Sequence, residues 1–308
     1  MGVTAAGAVK DQPIRVFVGS CASTAVEEQT LLRSLLEHTE CLLDVWIIDG
    51  IERVLREVAT GSEKPLPEEW RDRVAGDSGF AFARFAPPEL CGYDGRAIYL
   101  ESDQLVYADI GELWDLDLAG ASVGAVRYEH MLGTVPYQRE GYLNSVLVFD
   151  CARSTGLSMA AVTERHGETP SKFSDWLSMT PAFLEQFGLD VVAIDPAWNV
   201  CDKVVDGTKI LHFTNWESHP WRVAGHPCAA QWRKAYLDCA AAGHLSGELL
   251  AKATQLGYVS RRMQALPRIP RVLAAPIDYA WQHGELLSHA FRRRRQRLAS
   301  SPTNETIC

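Results

Sequence analysis

Short β-branched runs alternate with amphipathic helical segments from residue 14 onward, and this alternation restricts the fold more than any other feature of the chain. Ile14 to Gly19 (Ile-Arg-Val-Phe-Val-Gly) is a run of strand formers that stops at a turn residue. Ser23 or Thr24 can cap the helix that follows, and Glu27 and Glu28 suit its positively polarised first turn. Leu31, Leu32, Leu35 and Leu36 then recur at helical spacing up to His38. Leu43 to Ile48 reads as the second strand. Further strands are expected at Ile98 to Leu100, Ala121 to Val126, Leu143 to Phe149, Val191 to Ile194 and Lys209 to Phe213. Helices are expected at Phe80 to Leu90, ending near Pro87-Pro88, and at Ser154 to His166; Gly61 to Gly79, rich in Pro, Gly and charge, reads as a surface loop. Such a sequence of elements specifies an α/β, Rossmann-like, mostly parallel sheet with helices on both faces. Ligands of such sheets sit outside the carboxyl ends of the strands, where Gly19-Ser20 and Glu101-Ser102-Asp103 both fall.

From about Ala229 the pattern becomes purely helical, with segments at Ala229 to Ala242, Ser246 to Gly257 and, after the breakers Pro267 and Pro270, Pro276 to Arg297. Three parts are therefore expected: a flexible N-terminus (1–13), an α/β domain (14–226) and a helical extension (227–308) ending in a basic tail. With 308 residues, 47% of them hydrophobic, the chain is long enough to bury a large core. A net charge of -9 argues against nucleic acid as a partner, because phosphate binding demands a basic surface. The eight cysteines show no Cys-x-x-Cys spacing, and Met1 to Gln12 lacks the basic-then-apolar order of a signal peptide. No run approaches the ~18 apolar residues of a membrane span. Reduced thiols in a cytoplasmic protein are the expectation. The tail Phe291-Arg-Arg-Arg-Arg-Gln-Arg297 follows Tyr279, Trp281, Leu286 and Leu287. Peripheral contact with an anionic membrane face and a solvated helix end complementing the macrodipole both fit that pattern.

The run Arg96-Ala-Ile-Tyr-Leu-Glu101-Ser-Asp103-Gln-Leu-Val106 places two carboxylates, one residue apart, at the end of a strongly apolar strand. In an extended chain residues i and i+2 share a side. Paired hard oxygen ligands at a strand end suit a Mg²⁺ or Mn²⁺ ion that also holds a diphosphate.

Four blocks then resemble the family 8 retaining glycosyltransferases, which have the nucleotide-diphospho-sugar transferase fold of GT-A type. Ile14 to Ser20 with Gln29 to His38 resembles the family's opening strand and helix. Phe80-Ala-Phe-Ala-Arg84-Phe-Ala-Pro-Pro-Glu-Leu90, followed by Ala97 to Trp114, is similar to its arginine helix and its Tyr-Leu-Asp-x-Asp-x-Leu-Val strand. Tyr142-Leu-Asn144-Ser-Val-Leu-Val-Phe-Asp150 resembles the block beside the donor sugar. Trp198-Asn199 and Ile210-Leu-His212-Phe-Thr-Asn-Trp-Glu-Ser-His219-Pro-Trp221 resemble the C-terminal His to Pro-Trp block. The blocks cover about residues 14 to 225 in the family's order.

The resemblance implies a hexosyltransferase that takes a nucleotide sugar, UDP-linked by expectation, and a carbohydrate or other hydroxyl acceptor. It implies Mn²⁺ or Mg²⁺ as cofactor, held by Glu101, Asp103 and His212. It implies Arg84 and Asn144 beside Asp103 as the groups at the reacting sugar, with Arg84 reaching sugar or phosphate. Val18, Ser20 and Ser102 are implied around the nucleoside, and His219 at the diphosphate. The chain departs from the family's pattern at five places. Glu101 stands where Asp is usual, His219 where Lys is usual, Ser20 where the nucleoside turn is usually acidic, Asn144-Ser145-Val146 replaces Asn-x-Gly, and only Asp175 offers a counterpart to the family's Asp-Gln-Asp segment. These departures keep a second class of function open, a catalytically silent domain that binds a nucleotide or a glycan.

Overall fold

The structure is a computed structural model that describes residues 12–70, 80–134, 140–168 and 178–284. Asp175, the expected helix beyond residue 284 and the basic tail lie outside the described residues. The chain divides into two compact units, Met1–Thr214 and Asn215–Cys308.

Among the described residues the first unit has eleven strands, β1 (Ile14–Gly19), β2 (Leu43–Asp49), β3 (Val54–Glu57), β4 (Glu63–Pro65), β5 (Arg96–Glu101), β6 (Gln104–Val106), β7 (Val123–Arg127), β8 (Tyr142–Asp150), β9 (Val191–Ala193), β10 (Val200–Cys201) and β11 (Ile210–His212). Eight of them form one sheet in the order β4-β3-β2-β1-β5-β8-β7-β9. The pairings β1·β2, β1·β5 and β7·β9 are parallel and the other four antiparallel, so only β3 and β8 run against the remaining six. The sheet is mostly parallel, and both faces are covered.

Strand periodicity decides which residue goes to which face. Val16 and Val18 of β1, Ile98 and Leu100 of β5, and Val146 and Val148 of β8 pack with Leu31, Leu32 and Leu35 of α1 (Ala25–His38). Ile110 and Leu113 of α3 (Ile110–Trp114) complete that layer. Phe17, Tyr99, Leu147 and Phe149 point the other way, into a layer closed by Phe82, Phe85, Met159, Val162, Phe183 and Phe187. The elements there are α2 (Pro87–Leu90), α4 (Met159–Glu168) and α5 (Pro181–Phe187). Full burial on both faces explains why β5 and β8 read as continuous apolar runs.

The segment expected to be one helix from Phe80 to Leu90 is corrected. It forms a tight 3₁₀ turn at Ala83–Phe85, and the helix starts, rather than ends, at Pro87-Pro88. Proline lacks an N–H and has φ preset near the helical value, so the first helical positions accept it and interior positions do not. The helix expected from Ser154 begins at Met159, where the Ser158 hydroxyl accepts the Ala161 N–H (3.1 Å). The expected loop after Gly61 contains the short edge strand β4 and a 3₁₀ turn at Glu68–Trp70, with residues 71–79 outside the description.

A second sheet, β10-β11-β6, positions the site. β11 runs antiparallel to β6 with His212 opposite Gln104, and the Phe213 N–H donates to the Asp103 carbonyl (3.0 Å). A late strand is thereby laid beside the carboxylate turn.

The second unit is helical, with α6 (Ala229–Ala241), α7 (Gly247–Gln255), α8 (Arg261–Ala265) and a helix over 271–284. Asp278 is fully buried between Arg233 (2.7 Å) and Arg262 (2.5 Å), and Trp221 packs on Trp232 at 4.2 Å between ring centroids. Among the described residues no helix is long and apolar enough to cross a membrane. The seven cysteines found there are all free thiols.

Candidate functional site

β5 ends at Glu101, and the two-residue turn Ser102-Asp103 reverses the chain into β6. The turn is pinned from two sides. Ser102 N–H donates to the Gly19 carbonyl at the end of β1 (3.2 Å), and Glu101 N–H donates to the Gln104 side chain (3.2 Å). Gln104 in turn donates to the Ser145 carbonyl on β8 (2.9 Å). Into this frame β11 delivers His212. Its Nε2 lies 3.4 Å from Glu101 Oε2 and 3.3 Å from Asp103 Oδ1, and one ligand atom from each of the three residues falls within 4.8 Å of the others.

Glu101 and His212 are buried, and Asp103 is the most accessible of the three. Two carboxylates and an imidazole nitrogen converging in low dielectric repel one another unless a cation lies between them. Burial pushes the His212 imidazole down, but the charge and hydrogen bond of Asp103, with hydrogen bonds to Cys201 and Glu101, hold it well above its ordinary value. The same donor set suits a small divalent ion of mixed oxygen and nitrogen preference. The 3.3 and 3.4 Å separations are near the ~3 Å expected between adjacent ligands of an octahedral ion with bonds of about 2.1 Å.

The far nitrogen of His212 is also committed. Nδ1 lies 3.0 Å from Ser145 Oγ and 3.1 Å from Asn199 Oδ1, and Asn199 Nδ2 donates to Ser145 Oγ (2.8 Å). All three side chains are buried.

Arg84, in the 3₁₀ turn over the opposite face, spends its guanidinium on the protein. Nε donates to the Ala81 carbonyl (2.8 Å), Nη2 to Glu101 Oε1 (2.5 Å), and Nη1 to Asn144 Oδ1. Arg84 thereby holds Glu101 and Asn144 together. Glu101 thus faces Arg84 with one oxygen and His212 with the other. Tyr99, two residues earlier on the same face, is fully buried, and burial together with the Glu101 charge pushes its phenol far above its ordinary range.

Val18 and Ser20 sit at the carboxyl end of β1, both fully buried. Ser20 Oγ pairs with Thr24 Oγ1 (3.1 Å). Ser102 Oγ is fully buried without a hydrogen-bond partner among the described residues. His219 belongs to the second unit, where its ring packs on Trp221 at 4.2 Å. The sequence expectations gave no role to Gln104, Ser145 or Asn199. An amide or hydroxyl beside a strand carries no periodic signal, and only the fold shows what it touches.

Residues 75–224 match the family model described as Glycosyl transferase family 8. The matched stretch, 150 of the 308 residues, resembles a family 8 glycosyltransferase domain. Among curated proteins, this domain is similar to Probable galacturonosyltransferase-like 10 of Arabidopsis thaliana, 30% identical over 200 residues that cover 54% of this chain and 55% of the relative. Protein CDI of Arabidopsis thaliana is 27% identical over 242 residues, 72% of this chain and 85% of the relative. The rat protein (Rattus norvegicus) Glycosyltransferase 8 domain-containing protein 1 is 26% identical over 205 residues, 51% of this chain and 54% of the relative. The chain spans about half the length of the first of these relatives. Of solved structures, the apo form of the bifunctional glycosyltransferase WbbM superposes with a TM-score of 0.54 at 16% identity, over 75% of this chain and 51% of that one. GlyE of Streptococcus pneumoniae TIGR4 gives 0.51 at 18% identity, over 73% and 61%. The chain shares the GT-A type fold of these glycosyltransferases.

Proposed function

We propose that this domain transfers a glycosyl group from a nucleotide sugar, with a UDP-hexose as the leading donor, onto a hydroxyl acceptor with retention of configuration. The convergence of Glu101, Asp103 and His212 carries the proposal, because three side chains from β5, its turn and β11 meet at one point beyond the carboxyl ends of parallel strands. A divalent cation there, Mn²⁺ or Mg²⁺, would supply positive charge to a diphosphate leaving group as its bond to the sugar breaks. Asp103, the more accessible acid, and His212 hold that position. Arg84 fixes Glu101, and Arg84 with Asn144 forms a polar face toward the sugar. Ser102, with a buried hydroxyl that has no partner among the described residues, suits a ribose hydroxyl. Five relatives bear glycosyltransferase names, two of them galacturonosyltransferase-like, so UDP-hexuronates belong among the candidate donors.

Donor hydrolysis is the test, run over UDP- and GDP-sugars with Mn²⁺ or Mg²⁺ on the native chain, Asp103→Ala and His212→Ala. Metal-dependent turnover is expected in the native chain and lost in both variants, with near-UV circular dichroism unchanged. Undiminished turnover in a variant removes that residue from the site, and UDP binding without turnover identifies a silent nucleotide-binding domain.

Cytoplasmic residence with peripheral contact at an anionic membrane face is proposed for the C-terminus. The Arg292–Arg295 run supports it, as do the exposed Val272, Tyr279 and Trp281 on the preceding helix. Co-sedimentation with phosphatidylglycerol vesicles at low salt, lost on Arg-to-Gln replacement of the run, checks it.

A further inference from the structure

We propose that Asn199 is a positioning residue that fixes which nitrogen of His212 carries the proton, so that Nε2 presents its lone pair to a cation. The inference rests on the metal reading above. Imidazole has two nitrogens, and in the neutral ring one carries hydrogen and the other a lone pair. His212 Nε2 faces Glu101 and Asp103, and Nδ1 faces Asn199 Oδ1 at 3.1 Å. A carbonyl oxygen only accepts. Nδ1 must therefore be the protonated nitrogen, and Nε2 is left as the ligand.

The orientation of the Asn199 amide is itself held. Its Nδ2 donates to Ser145 Oγ at 2.8 Å, which turns the carbonyl oxygen toward the ring. Ser145 Oγ, which can accept or donate, lies 3.0 Å from the same Nδ1, so the Asn199 oxygen, which only accepts, decides the assignment. All three side chains are buried, with Asn199 fully so, and water does not offer an alternative partner on that side. Were Nδ1 an acceptor instead, it would face the Asn199 oxygen lone pair to lone pair, and Nε2–H would be spent on a carboxylate. A metal-bound histidine whose other nitrogen donates to a fixed oxygen is held in rotation and becomes the more basic ligand. Asn199 reaches this place because β10, which starts one residue later, pairs in parallel with β11, with Val200 opposite Leu211 and Cys201 opposite His212.

Mn²⁺ titration followed by electron paramagnetic resonance tests the assignment on the full chain, on Asn199→Leu, which keeps the volume without the acceptor, and on Asn199→Asp, which keeps an oxygen. Mn²⁺ affinity is expected to fall about 10- to 100-fold in Asn199→Leu and to stay at or above the native level in Asn199→Asp. Native-level affinity in Asn199→Leu, or an equal loss in both variants, overturns the assignment. No Mn²⁺ binding by the native chain retracts the metal reading and this inference with it. If Asn199→Leu does not fold, the native protein decides through a long-range ¹H–¹⁵N spectrum of His212 at saturating Mg²⁺. A proton-bearing Nδ1 supports the assignment, and a lone-pair Nδ1 overturns it.

Discussion

Gly19 shows how one absent side chain shapes the rim of the site. A Cβ there would sit 2.2 Å from Tyr99 Oη and 2.9 Å from Phe80 Cδ2, so the Tyr99 phenol fills the space that another residue would need. Gly19→Ala is expected to destabilise the fold by about 1–3 kcal/mol, read as a lower urea midpoint. Adding Tyr99→Phe to it should restore part of the loss, because the nearest atom is removed. His212 gives a second prediction at this scale. Its folded-state value is raised, so its protonated form contributes stability that is fully present below its ordinary value near 6.5 and is lost as pH rises through the folded value well above it. The metal-free chain should lose stability toward alkaline pH more steeply than His212→Gln, as measured by melts in a chelating buffer. Glu101 and Asp103 were legible as a carboxylate pair at a strand end, whereas His212 was singled out only through the family block that it resembles. Arg84 was legible as a functional type, but its partners Glu101 and Asn144 were not, since they lie 17 and 60 residues away.

Among the elements, the three-stranded sheet is the part that was hardest to read. β6 and β10 hold three and two residues, too few for a period of two to show against the background, whereas β11 falls within the strand expected at Lys209 to Phe213. The long buried strands β1, β5 and β8 declared themselves through β-branched runs, and α1 through its leucine spacing. β3 and β4 escaped because an antiparallel edge is half-exposed and mixed in composition. The small sheet also depends on a contact that no pattern announces. Gly133 bridges Cys201 with φ at +97°, and a Cβ there would lie 1.9 Å from the Cys201 carbonyl oxygen. Gly133→Ala combines a strained backbone with a backbone clash and is expected to cost about 3 kcal/mol. Hydrogen exchange should show protection lost at 199–201 and 210–212 before it is lost in β1 and β5.

Across the first unit, two apolar layers on opposite faces of one sheet hold the strand ends that carry the polar groups. The fold class followed from the order of elements, because alternate strands and helices can bury both faces of a sheet in few ways. A ligand recognised only by the folded arrangement should stabilise the whole unit. UDP with Mn²⁺ at about 100-fold saturation is expected to add ~2.7 kcal/mol, or about 5–10 °C in melting temperature at ~2–4 °C per kcal/mol. The shift should vanish on adding EDTA.

The order of synthesis adds a consequence of the β6·β11 pairing. A ribosome makes Glu101 and Asp103 early, and their imidazole partner emerges only after another 109 positions of chain have been added. The growing chain must fold its large sheet on apolar burial alone, with two neighbouring acids and no third ligand. If the three side chains hold a cation as proposed, that ion would join a sheet already built, and starving cells of manganese should leave yield intact while lowering activity.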